Sequence, residues 1–474
     1  MIDIARRTHY LCAMHFGNPD DTICAISTAP GIGAIALIRV TGASTFDVLG
    51  DLFSKDLTSV KSHTAHFGRF SRKGELIDEV VATVFRAPNS FTGEDIVEIS
   101  CHASPYIQAE IMQALLEKGC RLAGPGEFSM RAFANGKVDL SQAEAIADLI
   151  ASSSAAAHKL AMNQMRGGFS RRINELREKL INFASLIELE LDFSEEDVEF
   201  ANRDDLKSLV HKIQVVLSDL IASFSAGQAI KNGIPVAILG APNMGKSTLL
   251  NALLDEDRAI VSEIAGTTRD TIEDEMTING VRFRFIDTAG LRETVDVVEL
   301  IGINRAFEKA GKASVILYMV DALENDAAEL KKQVNQLQER IGNSALLIPV
   351  GNKIDKARDI SALETKFAEV ENMVLLSAAE GAGMEFLRNK LLSITADLQS
   401  EGTNVIVSNI RHYDALTKAH TSLCSVLEGL SIGITGDFLA VDIRKALYHL
   451  GEITGEITTE DLLGNIFSKF CIGK

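Results

Sequence analysis

The sequence has 474 residues, of which 46% are hydrophobic and 24% charged, and its formal net charge is −18. This length allows about three domains of ordinary soluble composition, and the acidic balance excludes a uniformly basic nucleic-acid-binding protein, so any RNA contact requires a local basic patch. Six cysteines with no CxxC pair, and no apolar run of ~18 residues, predict a cytoplasmic protein without a disulfide framework, zinc site or membrane span.

The first region alternates short strands with turns. Strand-like runs such as Ala34–Val40 are followed by a helical pattern from Tyr106 to Lys118. This region, up to about Lys137, is predicted to be an α/β domain. Arg39, Glu98 and Lys137 lie at the ends of its elements, and each taken alone is most simply a solvated charge.

From about Leu140 the pattern changes to long amphipathic helices. The run from Ser141 to Ala161 is rich in alanine and has no proline, and apolar residues then recur every three or four positions. A basic cluster lies in this part of the chain and consists of Arg166, Arg171, Arg172, Arg177 and Lys179. The cluster is a candidate RNA contact, although a solvated helix face is the simpler interpretation.

A phosphate-binding loop follows. Gly240 to Thr248 reads Gly-Ala-Pro-Asn-Met-Gly-Lys-Ser-Thr and fits G-x-x-x-x-G-K-[ST], between an apolar strand from Ile234 and a helix-forming run. The backbone N–H groups of such a loop face phosphates, and the helix N-terminus adds positive potential. Lys246 is predicted to reach the β- and γ-phosphates, and the Ser247 hydroxyl is predicted to hold Mg²⁺.

Further stretches stand in the order that a GTP-binding domain requires. Asp287-Thr-Ala-Gly290 is predicted to reach Mg²⁺ and sense the γ-phosphate, with a switch threonine upstream. The carboxylate of Asn352-Lys-Ile-Asp355 can accept two hydrogen bonds from guanine and so selects GTP, and Ser377-Ala378 closes the base pocket. The predicted GTP-binding residues are Asn243, Met244, Gly245, Lys246, Ser247, Thr248, Ser262, Glu263, Ile264, Ala265, Gly266, Thr267, Thr268, Asp287, Thr288, Ala289, Gly290, Asn352, Lys353, Asp355, Ser377 and Ala378.

The catalytic part of this domain departs from the common pattern. Leu291 follows Gly290, at the position where many GTPases carry a glutamine that orients water. A substitute must come from elsewhere, and the downstream acids are Glu293, Asp296 and Glu299. Their spacing alone does not choose among them.

From Arg411 the chain returns to helices, which indicates that the nucleotide domain is inserted into a helical domain. Thr458-x-x-Asp461 resembles a capping box for the last helix, Leu462 to Phe470. This helix leads into Cys471-Ile-Gly-Lys474. The flexible, cationic tail is suited to closing over a site elsewhere, and its thiol is a candidate nucleophile.

Together these stretches resemble the MnmE (TrmE) family of tRNA modification GTPases. The resemblance runs from about Asp21 to Lys474 and also rests on Pro88–Asp95, Gly124–Ser129, Asn135–Leu140 and Gln142–Asp148. It implies a multidomain protein of α/β and all-α parts. These parts are an N-terminal tetrahydrofolate-binding and dimerisation domain (1–137, with 1–20 a probable extension), a discontinuous helical domain (138–232 and 401–474) and an inserted Ras-like P-loop G domain (233–400).

The resemblance also implies an activity. A homodimer would act with the FAD-dependent protein MnmG, in a heterotetramer or larger complex, on the wobble uridine of certain tRNAs. Carbon 5 of that uridine would receive an aminomethyl or carboxymethylaminomethyl group. The methylene would come from a tetrahydrofolate derivative of the 5-formyl or 5,10-methylene type, and the other cofactors would be GTP, Mg²⁺ and K⁺.

Site residues follow from the same resemblance. The implied folate-binding residues are Arg39, Glu98, Lys137 and Lys474. The implied metal ligands are Ser247 and Thr268 for Mg²⁺, and Asn243, Ser262, Ile264 and Thr267 for K⁺. The implied catalytic residues are Glu299, a general base acting through water, together with Arg269 and Cys471. Potassium between the phosphates would supply the positive charge that other GTPases take from an arginine finger.

Two features depart from the family pattern. Residues 1 to about 20 have no counterpart, which makes Met14 an alternative start, and Cys101-His-Ala-Ser104 replaces a His-Gly-Gly stretch beside the implied folate pocket. Two rival functions are a ribosome-assembly GTPase switch and a folate-binding transferase with an accessory GTPase. The first predicts co-sedimentation with ribosomal subunits, and the second predicts folate turnover without tRNA or a flavoprotein.

Overall fold

The computed structural model describes residues 21–192, 202–255, 274–286, 313–342, 345–399 and 405–473. They fall into two compact units. Of the described residues, the first unit combines those within 21–151, 161–221 and 411–473, and the second combines those within 152–160 and 222–410. The second unit therefore interrupts the first along the sequence.

Strands and helices are numbered in chain order within the described ranges. The strands are β1 (Ile23–Ile26), β2 (Ile35–Thr41), β3 (Thr64–Arg72), β4 (Glu75–Phe85), β5 (Ile96–His102), β6 (Arg121–Leu122), β7 (Ile234–Gly240), β8 (Asp274–Ile278), β9 (Val281–Phe285), β10 (Val315–Asp321), β11 (Leu346–Asn352) and β12 (Val374–Leu375). The helices are α1 (Thr45–Gly50), α2 (Pro105–Glu117), α3 (Glu127–Ala134), α4 (Leu140–Ala151), α5 (Ala155–Met165), α6 (Gly168–Asp192), α7 (Arg203–Ala222), α8 (Phe224–Asn232), α9 (Lys246–Asp255), α10 (Ala327–Ile341), α11 (Ile360–Lys366), α12 (Met384–Gln399), α13 (Ile410–Ile432), α14 (Gly436–Thr454) and α15 (Glu460–Phe467).

The first unit begins with a six-stranded sheet in the order β3-β4-β5-β2-β1-β6. Its neighbours are antiparallel except for β1 and β6, which are parallel. One face is covered by α1 and α2, and alternate residues such as Val40, Ile99 and Ile111 form the core there. Along β2, Ala36, Ile38 and Val40 are buried and the residues between them are not, as expected for a sheet with one covered face.

Long helices make up the rest of the first unit. Leu176, Leu180 and Ile187 of α6 are fully buried, as are Ile443 and Leu450 of α14, the helix that packs along it. The predicted period of 3.6 residues thus marks the buried stripe of each helix. This confirms the expected helical region, whose two segments lie on either side of the nucleotide region in the sequence.

One described segment, Arg203–Asn232, is long and apolar enough to cross a membrane by length and composition. Leu206, Val210, Ile213 and Leu217 recur at helical spacing within it and are at most 1% exposed. Lys207 and Lys212 lie between them, so this part of the segment is amphipathic and buries one face, and 28% of the apolar window as a whole is buried.

The second unit is built around another six-stranded sheet, in the order β12-β11-β10-β7-β9-β8. All neighbours are parallel except β8 and β9. Buried apolar residues cover both faces, for example Leu317 on one and Ile316 on the other. Such a doubly covered parallel sheet collects ligand-binding loops at the carboxyl ends of its strands, which confirms the expected P-loop fold.

Two local predictions were wrong. The last helix is capped by Thr459 and not by Thr458, because the Thr459 hydroxyl accepts a hydrogen bond from Leu462 N at 3.3 Å. Arg177 of the basic cluster is not on a solvated face, since it is 8% exposed and forms an ion pair with Glu456. A guanidinium at a helical position can be buried when a carboxylate from another segment, here just after α14, pairs with it.

Candidate functional site

The phosphate-binding loop joins the end of β7 to the start of α9. Gly240 has φ +148°, and a Cβ there would come within 2.5 Å of the Met319 carbonyl oxygen. Gly245 has φ +89°, and a Cβ there would lie 2.3 Å from Nδ2 of Asn352. Both glycines are therefore needed because the neighbouring strands approach the loop backbone closely.

Lys246 opens α9, and its ammonium is turned back over the loop. Its Nζ donates to the carbonyl oxygens of Gly240 and Ala241, both at 2.8 Å. Burial lowers the pKa of Lys246. The ammonium thus stands where phosphate oxygens meet a P-loop, and Ser247 follows it in the first turn of the helix.

Asn352 ties three loops together at the end of β11. Its Nδ2 donates to Met244 O in the phosphate loop at 2.8 Å, and its Oδ1 accepts from Ala378 N at 3.0 Å. The residue is 4% exposed. The predicted base-binding stretches around residues 352 and 377 are therefore brought to the phosphate loop, at one edge of the sheet.

The carboxylate that is predicted to read guanine is held by a neighbouring hydroxyl. Ser377 Oγ donates to Asp355 Oδ1 at 2.6 Å, and the fully buried Ser377 also accepts from Glu380 N at 3.2 Å. The structure thus brings Asp355 and Ser377 into direct contact. A carboxylate fixed in this way can present its second oxygen to paired N–H donors, which guanine offers and adenine does not.

A further acid, which sequence analysis missed, lies beside this pocket. Asp321, at the end of β10, is 3% exposed, and its Oδ2 lies 2.8 Å from Nζ of Lys353. Burial alone would raise the pKa of Asp321, but hydrogen bonds from Lys353 and Leu323 N lower it. The same hydrogen bond raises the pKa of Lys353. The sequence feature that could have identified Asp321 is its position at the carboxyl end of β10, the strand next to β11.

Other predicted residues of the nucleotide site lie outside the described residues, and so do the acids weighed for catalysis. These are Ser262, Glu263, Ile264, Ala265, Gly266, Thr267, Thr268, Arg269, Asp287, Thr288, Ala289, Gly290, Glu293, Asp296 and Glu299. Their roles stay predictions.

A second polar site lies on the sheet of the first unit. Arg39 on β2 is directly opposite Glu98 on β5, and its Nε and Nη2 donate to Glu98 Oε1 at 2.9 and 2.6 Å. The rings of Phe91 and Phe128 lie 5.7 and 5.5 Å from the guanidinium carbon. Two of the predicted folate-binding residues therefore form one half-buried pair that is backed by aromatic rings.

Lys137, the third predicted member, is exposed and contacts a different loop. Its Nζ donates to Pro88 O at 2.8 Å, and the nearby Asn135 Nδ2 donates to Thr92 O at 2.7 Å. Both residues thus hold the loop that carries Phe91. Lys474, the fourth member, lies outside the described residues.

The C-terminal segment docks against the same sheet. Ile472 forms a β-bridge with Pro125, and Gly126 N donates to Cys471 O at 3.3 Å. The carbonyl oxygen of Gly473 accepts from Arg39 Nη1 at 3.2 Å. The segment therefore reaches the Arg39–Glu98 pair through Gly473, and Cys471, predicted as catalytic, is exposed two residues before it.

Two family models match the chain. The model described as the MnmE helical domain matches residues 140–471, and the one described as the GTP-binding protein TrmE N-terminus matches residues 22–137. The tRNA modification GTPase MnmE of Christiangramia forsetii is 56% identical, over 96% of this chain and 99% of that protein. The protein of the same name from Cytophaga hutchinsonii is 53% identical, over 96% and 98% of the two chains.

Parts of solved structures are also similar to part of this chain. Era in complex with MgGDPNP and nucleotides of 16S ribosomal RNA is 28% identical, covers 40% of this chain and 66% of that chain, and has a TM-score of 0.26. The G domain of FeoB from Methanococcus jannaschii is 28% identical, covers 35% and 98%, and has a TM-score of 0.24. The family-model match over residues 140–471 and the near-complete coverage of relatives more than 50% identical show that the chain belongs to the MnmE family of tRNA modification GTPases.

Proposed function

We propose that this GTPase is activated by potassium and acts with an FAD-dependent MnmG on the wobble uridine of certain tRNAs in the cytoplasm. Carbon 5 receives an aminomethyl or carboxymethylaminomethyl group, and a one-carbon tetrahydrofolate supplies the methylene. The observation that carries the proposal is the contact of the Cys471-Ile-Gly segment with Arg39, because it joins the tail to the predicted folate site.

The GTP half of the proposal is supported by the loops at the end of the second sheet. Lys246 provides a cation for the phosphates, and the Asp355 carboxylate, held by Ser377, provides the acceptor for guanine. Ser247 and Asn243 supply the oxygen ligands that hard cations such as Mg²⁺ prefer. When bound, such cations neutralise charge that develops on the phosphates. We further propose that Glu299 positions the attacking water.

The folate half is supported by the chemistry of the Arg39–Glu98 pair. A carboxylate accepts hydrogen bonds from the N–H groups of a pterin, and a guanidinium donates to its oxygens or to a glutamyl carboxylate. The rings of Phe91 and Phe128 give the pair an apolar wall. We propose that Lys137 and Lys474 complete the site.

The homodimer is supported by the second face of the first sheet. Leu37, Val81 and Phe67 lie in one row on the face opposite the buried core, with Ser100 of β5 between Leu37 and Val81. Phe67 is 58% exposed and Ile35 is 68% exposed. Exposed apolar side chains on this face, which stand among polar ones, favour association, and sedimentation analysis of the purified protein tests this directly.

Mass analysis of tRNA nucleosides from cells that lack this protein tests the proposed function. We expect loss of the 5-substituted wobble uridine and its return when the wild-type gene is supplied. The ribosome-assembly alternative has the opposite outcome, namely unchanged nucleosides and co-sedimentation of the protein with ribosomal subunits. A transferase independent of tRNA would turn over folate without MnmG.

A further inference from the structure

The C-terminal segment is held mainly by its backbone. Cys471 is exposed and the Ile472 side chain is 59% exposed, so neither side chain is anchored in a core. Instead the Cys471 carbonyl accepts from Gly126 N at 3.3 Å. The Gly473 carbonyl accepts from both Ser27 Oγ and Arg39 Nη1 at 3.2 Å. The position of the segment therefore depends on a few hydrogen bonds to fixed donors.

Gly473 allows this approach for two reasons. Its φ is +92°, a left-handed conformation that side chains rarely adopt. A Cβ at this position would also lie 2.7 Å from Ile26 O and 3.0 Å from Ser27 Cα, which are backbone atoms at the end of β1. Because β1 is hydrogen-bonded within the sheet, it cannot move aside, and any other residue must lift the segment away.

The backbone at Gly126 approaches the end of α15 equally closely. Gly126 has φ +68°, and a Cβ there would lie 2.7 Å from Phe467 O at the end of α15. Phe467 itself is fully buried, so α15 is fixed against this turn. The C-terminal segment thus runs from a fixed helix end to two donors, Ser27 just after β1 and Arg39 on β2.

We propose that Gly473 and Ser27 are positioning residues that dock the C-terminal segment and hold Cys471 beside the Arg39–Glu98 pair. Cys471 is two residues from the docked Gly473 carbonyl, which places its Cα within about 7 Å of the Gly473 Cα. This inference rests on the proposed function for its chemical purpose, although the dock itself can be measured without that function. Neither residue belongs to the folate-binding or catalytic residues predicted from the sequence.

Hydrogen exchange at the Gly126 amide tests the dock, because this amide donates to Cys471 O. We expect Gly473→Ala to raise its exchange rate by about tenfold, and Ser27→Ala by about threefold, since each lost hydrogen bond has a modest net effect. Ser27→Thr retains the hydroxyl and should exchange at the wild-type rate. A variant that lacks residues 471–474 gives the exchange rate of the Gly126 amide when the segment is absent.

Gly433→Ala is the matched control. Gly433 also has a positive φ, +69°, but a Cβ there meets nothing within 4 Å. The control carries the backbone strain without the collision, so the Gly126 amide should exchange as in the wild type. Equal exchange in the wild type and Gly473→Ala would overturn the dock.

The consequence for function is measured separately on the same variants. Gly473→Ala should strongly reduce the modified wobble uridine in a deletion strain while GTP hydrolysis stays at the wild-type rate. Full modification by a Gly473→Ala protein that exchanges fast at Gly126 would overturn the positioning role. If deletion of residues 471–474 also leaves modification intact, the proposed function of the tail fails, independently of the dock.

Discussion

The carboxylate of Asp321 and the ammonium of Lys353 are 2.8 Å apart, at the carboxyl ends of two adjacent parallel strands. Lys353 adopts a left-handed backbone conformation with φ +71°, directly before the helical turn that carries Asp355. Asp321 therefore anchors the side chain of Lys353, a predicted GTP-binding residue, to the sheet. This ion pair connects the end of β10 to the segment after β11 that carries Asp355.

Replacing this anchor should weaken nucleotide binding. In Asp321→Asn the charge that holds Lys353 is lost, so we expect the affinity for GTP and GDP to fall about tenfold, as for loss of one charge-assisted hydrogen bond. Titration with a fluorescent GDP analogue measures this. Asp326→Asn is the control, because Asp326 caps α10 and asparagine caps equally well. Equal affinities of both variants and the wild type would contradict the role.

Base selection should depend on Asp355. Asp355→Asn replaces one acceptor by an amide donor, so we expect weaker GTP binding and a preference for xanthosine triphosphate, whose ring offers the complementary groups. Competition between the two nucleotides measures the change. Ser377→Ala removes the hydroxyl that holds the carboxylate, and should weaken binding without changing which base is preferred. Unchanged GTP affinity in Asp355→Asn would remove the guanine-reading assignment.

Hydrolysis should require potassium. We expect a much lower rate in sodium than in potassium at equal ionic strength, because Leu291 replaces the usual glutamine and Asn243 is the predicted cation ligand. Asn243→Gly is the sharper test, since Asn243 has φ +63° and glycine keeps that backbone while removing the amide oxygen. The variant should bind nucleotide normally and lose the stimulation. Equal rates in the two salts would refute the dependence.

The nucleotide loops were predictable because their residues are contiguous or at fixed spacing. Lys246 and Asn352 lie where the P-loop and strand patterns put them. Asp321 was not found, since an acid at a strand end has no marker until its neighbour strand is known. Docking of Gly473 on Ser27 joins residues 446 positions apart, and no local pattern encodes such a contact.

A buried cluster in the helical part should make stability depend on pH. Arg411 donates to both oxygens of Glu144, and His412 Nε2 lies 2.8 Å from Oε2. Burial alone would raise the pKa of Glu144, but His412 and Arg411 lower it from 4.5 to about 2. Because the folded-state pKa lies below the unfolded one, the stabilisation is complete above pH 4.5 and is lost as the pH falls towards 2.

We therefore expect Glu144→Gln to lower the free energy of unfolding by about 3 kcal/mol at neutral pH, the cost of breaking a buried ion pair. The difference from the wild type should shrink as the pH falls below 4.5, as measured by urea denaturation. Glu188→Gln is the control, since Glu188 pairs with Arg444 at an exposed site and should change stability by less than about 0.5 kcal/mol. A constant difference across this pH range would contradict the assignment.

The thiol of Cys471 should serve modification and not GTP hydrolysis. Cys471 belongs to the first unit, in the segment whose Gly473 contacts Arg39, whereas the phosphate loop belongs to the second unit. Cys471→Ser keeps size and backbone contacts, so the variant should retain potassium-stimulated hydrolysis but lose the modified wobble uridine in a deletion strain. Lys474→Ala is the comparison that separates thiol chemistry from charge. If the serine variant restores full modification while Lys474→Ala does not, the thiol has no chemical role and the tail acts through its lysine.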